Sequence, residues 1–107
     1  MKKNSQLISF SNGIRLESGY TLNSFDLMIE SYGKLNETKS NAVLLCHAFS
    51  GNHHVAGDDK NLGIGWWDQI VGPDKAINTN KYYVVCCNNL GGCAGSSGPN
   101  TINPKTN

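Results

Sequence analysis

The residues able to do chemistry in this chain of 107 residues are few: His47, His53 and His54, four cysteines, and a glycine-rich stretch near the C-terminal end. His47-Ala48-Phe49-Ser50-Gly51 follows directly on an apolar run, Ala42-Val43-Leu44-Leu45-Cys46. A polar turn containing glycine, at the carboxyl end of a parallel strand, is where open α/β sheets place their ligand sites. A backbone N–H fixed in such a turn can stabilise an oxyanion, because it needs no reorganisation when the charge develops. Taken alone, these five residues are better explained by an ordinary strand-end turn with a histidine packed for structure. Asn88-Asn89-Leu90-Gly91-Gly92-Cys93-Ala94-Gly95-Ser96-Ser97-Gly98-Pro99 follows a second apolar run, Tyr82 to Cys87. It reads either as a flexible loop or as the second wall of the same pocket.

The other constellations are weaker. His53 and Asp58 stand five apart, a base-and-carboxylate spacing, but Val55-Ala56-Gly57 between them carries no helix-start signal, and coincidence explains the pair. His53-His54 with Cys86, Cys87 or Cys93 makes no metal site. No C-x-x-C or H-x-x-x-H spacing is present, and adjacent cysteines on a strand point to opposite faces. Gly63-Ile64-Gly65 lacks the third glycine of a dinucleotide fingerprint. Gly95-Ser96-Ser97-Gly98 has the wrong spacing for a G-x-S-x-G elbow, and no strand leads straight into it.

The elements that must position these residues come from the hydrophobic pattern. Ala42–Cys46 and Tyr82–Cys87 are unbroken apolar runs, which is how strands buried on both faces of a parallel sheet read. The 35 residues between them allow a right-handed crossover. Trp66 with Ile70 and Trp67 with Val71 stand four apart, and Gly72-Pro73 is a stop signal, so the crossover is expected to carry a helix over Trp66–Val71. Upstream, Asn12-Gly13 between Leu7–Ser11 and Ile14–Glu17 predicts a tight hairpin. Phe25, Leu27 and Ile29, alternating with Asp26, Met28 and Glu30, predict a strand with one buried face.

Composition narrows the class. Hydrophobic residues at 38% and charged residues at 16% are those of a folded chain rather than a disordered one, and the length allows one domain. A net charge of +1 makes nucleic acid or an anionic membrane surface a poor default partner. Neither apolar run approaches the ~20 residues of a membrane span. Met1-Lys2-Lys3-Asn4-Ser5-Gln6 opens basic with no apolar core behind it, so no secretory signal is read and a cytoplasmic location is expected. The cysteines then read as small buried thiols, not a disulfide framework. Two parallel strands with one short helix lack cover for one face, which points to a partner or a continuation.

In order along the chain, Gly19-Tyr20-Thr21-Leu22, Tyr32-Gly33-Lys34-Leu35-Asn36, Asn41–Ala48, Gly65-Trp66-Trp67-Asp68, Val71-Gly72-Pro73, Ala76-Ile77-Asn78-Thr79, Asn88–Pro99 and Ile102-Asn103-Pro104 resemble the N-terminal part of the homoserine O-acetyltransferase family. The resemblance covers nearly everything from Ser18 onward. It implies an incomplete α/β-hydrolase fold, with N-terminal hairpin and strands, the first buried parallel strands and one crossover helix. Residues 1–107 would then be the beginning of a single domain, ending before the nucleophile elbow.

The activity implied is transfer of an acetyl group from acetyl-CoA to the hydroxyl of homoserine through an acyl-serine, in methionine synthesis. Phe49 matches the residue whose backbone N–H forms half of the oxyanion hole, and His47, Gly51, Asn89, Leu90 and Gly91 are expected to wall the pocket. Acetyl-CoA would be a co-substrate, with no bound cofactor or metal, and the full-length family would be a homodimer. The family's Gly-Gly-Ser-Met-Gly-Gly-type elbow, and its Asp and His, have no counterpart here. The isolated chain is therefore expected to be inactive, needing the missing C-terminal portion or a complementary chain. The alternatives are an interaction module pairing through an open sheet edge, or a related acyltransferase using succinyl-CoA.

Overall fold

A computed structural model describes residues 1–103; Pro104 of the resemblance and the terminal Lys105, Thr106 and Asn107 lie outside the described residues. Ten strands follow one another: β1 (Lys3–Phe10), β2 (Ile14–Arg15), β3 (Thr21–Leu22), β4 (Phe25–Tyr32), β5 (Ala42–Leu45), β6 (Asp58–Asp59), β7 (Gly63–Ile64), β8 (Val71–Gly72), β9 (Ile77–Asn78) and β10 (Tyr83–Cys87). Four of them make the main sheet, in the order β1-β4-β10-β5. The expected adjacency of the two apolar runs is present: β10 pairs with β5 in parallel, from Tyr83↔Ala42 to Cys86↔Leu45. On its other side β10 runs antiparallel to β4, which runs antiparallel to β1.

The alternation along paired strands puts Val43, Leu45, Val84, Cys86 and Tyr32 on one face. There they pack with Val55, Ala56, Val71 and Ile77 from the β5–β10 connection to make the core. The opposite face carries Phe10, Phe25, Leu27, Ile29, Leu44 and Val85. Leu44 on it is 68% exposed. The unbroken apolar runs therefore do not lie buried on both faces. The described residues cover only one, and β5, an edge strand, alternates between exposed and half-buried positions.

Two local expectations fail. Leu7–Ser11 does not pair with Ile14–Glu17 across Asn12-Gly13. Gly13 does take a positive φ of 72°, but β1 pairs with β4, Phe10 lying opposite Phe25 with rings stacked at 5.1 Å, while β2 pairs with β3. A local turn signal lost to an eight-residue ladder with one aromatic pair in register.

The second failure is the helix. Among the described residues there is no helix, and Trp66 to Ile70 form only turns before Val71 enters β8. Val71 N–H bonds to Trp67 O at 2.9 Å and Ile70 N–H to the same oxygen at 2.8 Å, after which Val71–Gly72 enters a short parallel ladder with Ile77–Asn78. Upstream, Gly65 N–H and Trp67 N–H are already taken by Gly57 O and Val55 O. The few residues left between those docking points cannot offset the cost of nucleating a helix. Gly65 is required where it docks, since a Cβ there would sit 2.3 Å from backbone atoms of Val55 and Ala56. The two tryptophans stay at the surface, tilted against each other at 5.3 Å, and Trp66 Nε1 donates to Asn52 O.

Candidate active site

Parallel pairing brings the carboxyl ends of β5 and β10 to one edge of the sheet, and a single side chain joins the two loops that leave there. Asn89 N–H donates to His47 Nε2 at 3.1 Å, and His47 Nδ1 lies 2.7 Å from Ala48 O. Gly51 N–H donates to the same Ala48 oxygen at 2.8 Å, closing a turn with Phe49 and Ser50 at its tip. Phe49 is fully exposed, and its N–H has no hydrogen-bond partner among the described residues.

The glycine-rich loop is stapled back onto β4. Asn88 N–H donates to Met28 O and Ser97 N–H to Asp26 O, each at 2.8 Å. The serine hydroxyls complete the staple: Met28 N–H donates to Ser96 Oγ at 2.9 Å and Asp26 N–H to Ser97 Oγ at 2.8 Å. Ser96, buried, passes its own proton to Asn88 O at 2.5 Å. These serines hold a loop; neither is presented as a nucleophile.

The expected pocket wall divides in two. Asn89 meets His47, but Leu90 and Gly91 line a cavity of about 610 Å³ shared with Leu16, Leu22, Phe25 and Ile102, and none of His47, Phe49 or Gly51 lines it.

The sequence reading missed a buried polar cluster beneath the loop after Gly51. Glu30 and His54, 1% and 2% exposed, meet through Oε1 and Nδ1 at 2.8 Å. His54 Nε2 lies 2.8 Å from Gly63 O. With an acceptor against each ring nitrogen, His54 holds the loop and is not free to serve as a base. Tyr32 O–H donates to Glu30 Oε1 at 2.6 Å and accepts the N–H groups of Val55 and Ala56. Ser5 Oγ donates to Glu30 Oε2 at 3.2 Å, and Lys3 Nζ stands 3.9 Å from Oε1. The alternation of β4 predicts Phe25, Leu27 and Ile29 inward, whereas Glu30 and Tyr32, on the other face, are fully buried. The available signal was that an inward Tyr32 carries Glu30 inward with it.

His53 stands 3.8 Å from Glu30 Oε2, and its buried Nδ1 has no partner among the described residues. Burial holds its pKa below the ordinary 6.5, although Glu30 pulls the other way. The folded chain thus binds the His53 proton less readily than the unfolded chain. Stability present above 6.5 is lost progressively as the pH falls from there toward the lower folded-state value. Urea unfolding across that window should show falling stability, with the slope flattened in His53→Gln; an equal slope in the variant would assign the effect elsewhere.

All four cysteines are free thiols. Burial pushes Cys86 up to about 11 and raises Cys87, which keeps both protonated and unreactive. Cys46 and Cys93, expected to be buried, are exposed.

No protein-family model matches the chain. Among solved structures, a homoserine O-acetyltransferase from Bacillus anthracis matches 99% of this chain and 30% of its own, with a TM-score of 0.86 and 36% identity. Esterase E22 matches 98% and 30%, with a TM-score of 0.84 and 33% identity. The sheet and its strand-end loops are those of the first part of an α/β-hydrolase fold.

Among curated proteins, homoserine O-succinyltransferases match the chain in sequence. That of Neisseria gonorrhoeae is 60% identical over 105 residues, covering 94% of this chain and 27% of the relative. That of Saccharophagus degradans is 55% identical over the same length and shares. The chain is thus similar to the N-terminal part of homoserine O-acyltransferases, and it spans about a quarter of the length of the curated relatives it matches.

Proposed function

We propose that the chain builds the start of the catalytic domain of a homoserine O-acyltransferase, which moves an acyl group from an acyl-CoA thioester to the hydroxyl of L-homoserine on the way to methionine. The observation that carries this reading is the Phe49 N–H, unpartnered at the tip of the turn after β5. In acyl transfer through a serine, attack on the thioester carbonyl puts negative charge on its oxygen, and a fixed N–H stabilises that charge. The same donor serves again when the homoserine hydroxyl attacks the acyl-serine.

The names of relatives at 53–60% identity favour a succinyl donor. The acetyl donor expected from the resemblance is the second reading, favoured by the Bacillus anthracis structure at 36%. Either donor develops the same charge at the same oxygen, because succinyl differs only by a carboxylate remote from the reacting carbonyl. In this reading homoserine and the acyl-CoA are the partners, the site is cytoplasmic, and no metal or resident cofactor takes part.

The 107-residue polypeptide alone should release no thiol above the buffer blank from succinyl-CoA or acetyl-CoA with homoserine. Ser96 and Ser97 are engaged in the staple, and among the described residues no imidazole is hydrogen-bonded to Ser50. Turnover abolished by Ser50→Ala would reveal a nucleophile within this segment and overturn the division of labour. The donor is read by comparing the two thioesters on a chimera in which this chain replaces the matching segment of the Neisseria gonorrhoeae enzyme; preference for acetyl-CoA would restore the second reading.

A further inference from the structure

We propose that His47 is a positioning residue, whose imidazole in its Nδ1–H tautomer orients the Phe49 N–H and ties it to the loop after β10; this rests on the reading of Phe49 as an oxyanion donor. The tautomer follows from the partners. Asn89 N–H can only donate, so His47 Nε2, 3.1 Å away, must be unprotonated. The ring proton is then on Nδ1 and is given to Ala48 O at 2.7 Å. Gly51 N–H reaches the same oxygen at 2.8 Å, so two donors fix the direction of the Ala48 carbonyl.

That carbonyl and the Phe49 N–H belong to one peptide unit, which is planar and trans. Fixing where the oxygen points fixes the N–H on the opposite side of the same plane. The chain Asn89 N–H → His47 → Ala48 O therefore sets the aim of the Phe49 donor from a loop 42 residues away. An oxyanion donor gains its effect from being held in place before charge develops. A residue that locks its peptide plane acts on the reaction without touching the substrate.

Three substitutions separate the two hydrogen bonds. His47→Gln can keep an acceptor near Nε2, His47→Asn can keep a donor near Nδ1, and His47→Leu keeps neither. On the uniformly ¹⁵N-labelled chain, His47 should show a protonated Nδ1 and an unprotonated Nε2. Hydrogen exchange at the Asn89 amide should quicken about five- to tenfold in His47→Leu and His47→Asn, the effect of losing one hydrogen bond, and recover in His47→Gln. Core amides of Tyr32 and Val84 should be unchanged and serve as the reference for folding. A protonated Nε2, or Asn89 exchange equal in all four proteins, overturns the proposal whatever Phe49 does.

In the chimera, His47→Leu should lower kcat about tenfold with KM little changed, and His47→Gln should recover most of it. An unchanged kcat in His47→Leu would overturn the positioning role. Unchanged kcat on removing the Phe49 N–H would instead overturn the donor reading, a result that Asn89 exchange cannot produce.

Discussion

Replacing Phe49 by proline should lower kcat of the chimera with the Neisseria gonorrhoeae enzyme about 100- to 1,000-fold and leave KM nearly unchanged. That range corresponds to about 3–4 kcal/mol of transition-state stabilisation, the effect of removing one oxyanion-hole donor. Proline is the right probe because it deletes the backbone N–H, which no ordinary side-chain substitution does. It is also tolerated at this position. Phe49 follows Ala48 in a turn closed by the Gly51 N–H to Ala48 O bond, and the second residue of such a turn favours the φ of proline. The Phe49 side chain is fully exposed, so its loss removes no core contact within the chain. Phe49→Ala is the matched control: it loses the ring, keeps the N–H, and should stay within about threefold of the parent chimera. If the proline and alanine variants have the same kcat, the donor lies elsewhere. Because the N–H contacts oxygen most strongly once charge has developed, a change confined to KM would also count against it.

What the sequence made legible depended on how far apart the cooperating residues lie. Ala42–Cys46 and Tyr82–Cys87 declared themselves as paired parallel strands, because an unbroken apolar run carries its own reading whatever its partner is. The edge of the sheet that holds His47 and Asn89 followed from that pairing. The bond between them did not, since its geometry depends on how two loops are folded. The local signals were less faithful. Asn12-Gly13 favours a tight turn by itself, yet the stacked Phe10 and Phe25 rings and eight residues in register outweigh one turn. Trp66 to Val71 has helical spacing, yet hydrogen bonds from Gly65 and Trp67 to an earlier segment consume the start and the β8–β9 ladder consumes the end. The Glu30–His54 contact was invisible. A charged residue in an alternating strand reads as solvent-facing until its partner, 24 residues on, is known to lie beneath it.

That contact carries the largest expected effect on stability. Glu30→Ala should destabilise the chain by about 3–5 kcal/mol, the range for removing one member of a buried charged group from its partners. The carboxylate accepts from Tyr32 O–H, His54 Nδ1 and Ser5 Oγ, and sits under the loop whose Val55 and Ala56 N–H groups are held by the same tyrosine oxygen. Deleting it leaves the Tyr32 hydroxyl and a ring nitrogen of His54 buried with no acceptor, and a cavity in their midst. The losses fall on one segment: Val55 and Ala56 supply much of the apolar cover for Tyr32 and Val84, so loosening the loop exposes the core with it. Glu30→Gln keeps one oxygen acceptor and nearly the same volume, so it should cost less, about 1–3 kcal/mol, and stays measurable if the alanine variant does not fold. Tyr32→Phe should cost a similar amount, by orphaning the two loop N–H groups. Urea unfolding of the single variants and of Glu30→Gln with Tyr32→Phe together closes the cycle. Since both residues serve one network, the double variant should lose at least about 0.5 kcal/mol less than the two single losses added. Additive losses would mean that Glu30 and Tyr32 hold the loop independently, and a Glu30→Ala chain within about 0.5 kcal/mol of the parent would mean that the buried carboxylate does not hold it at all.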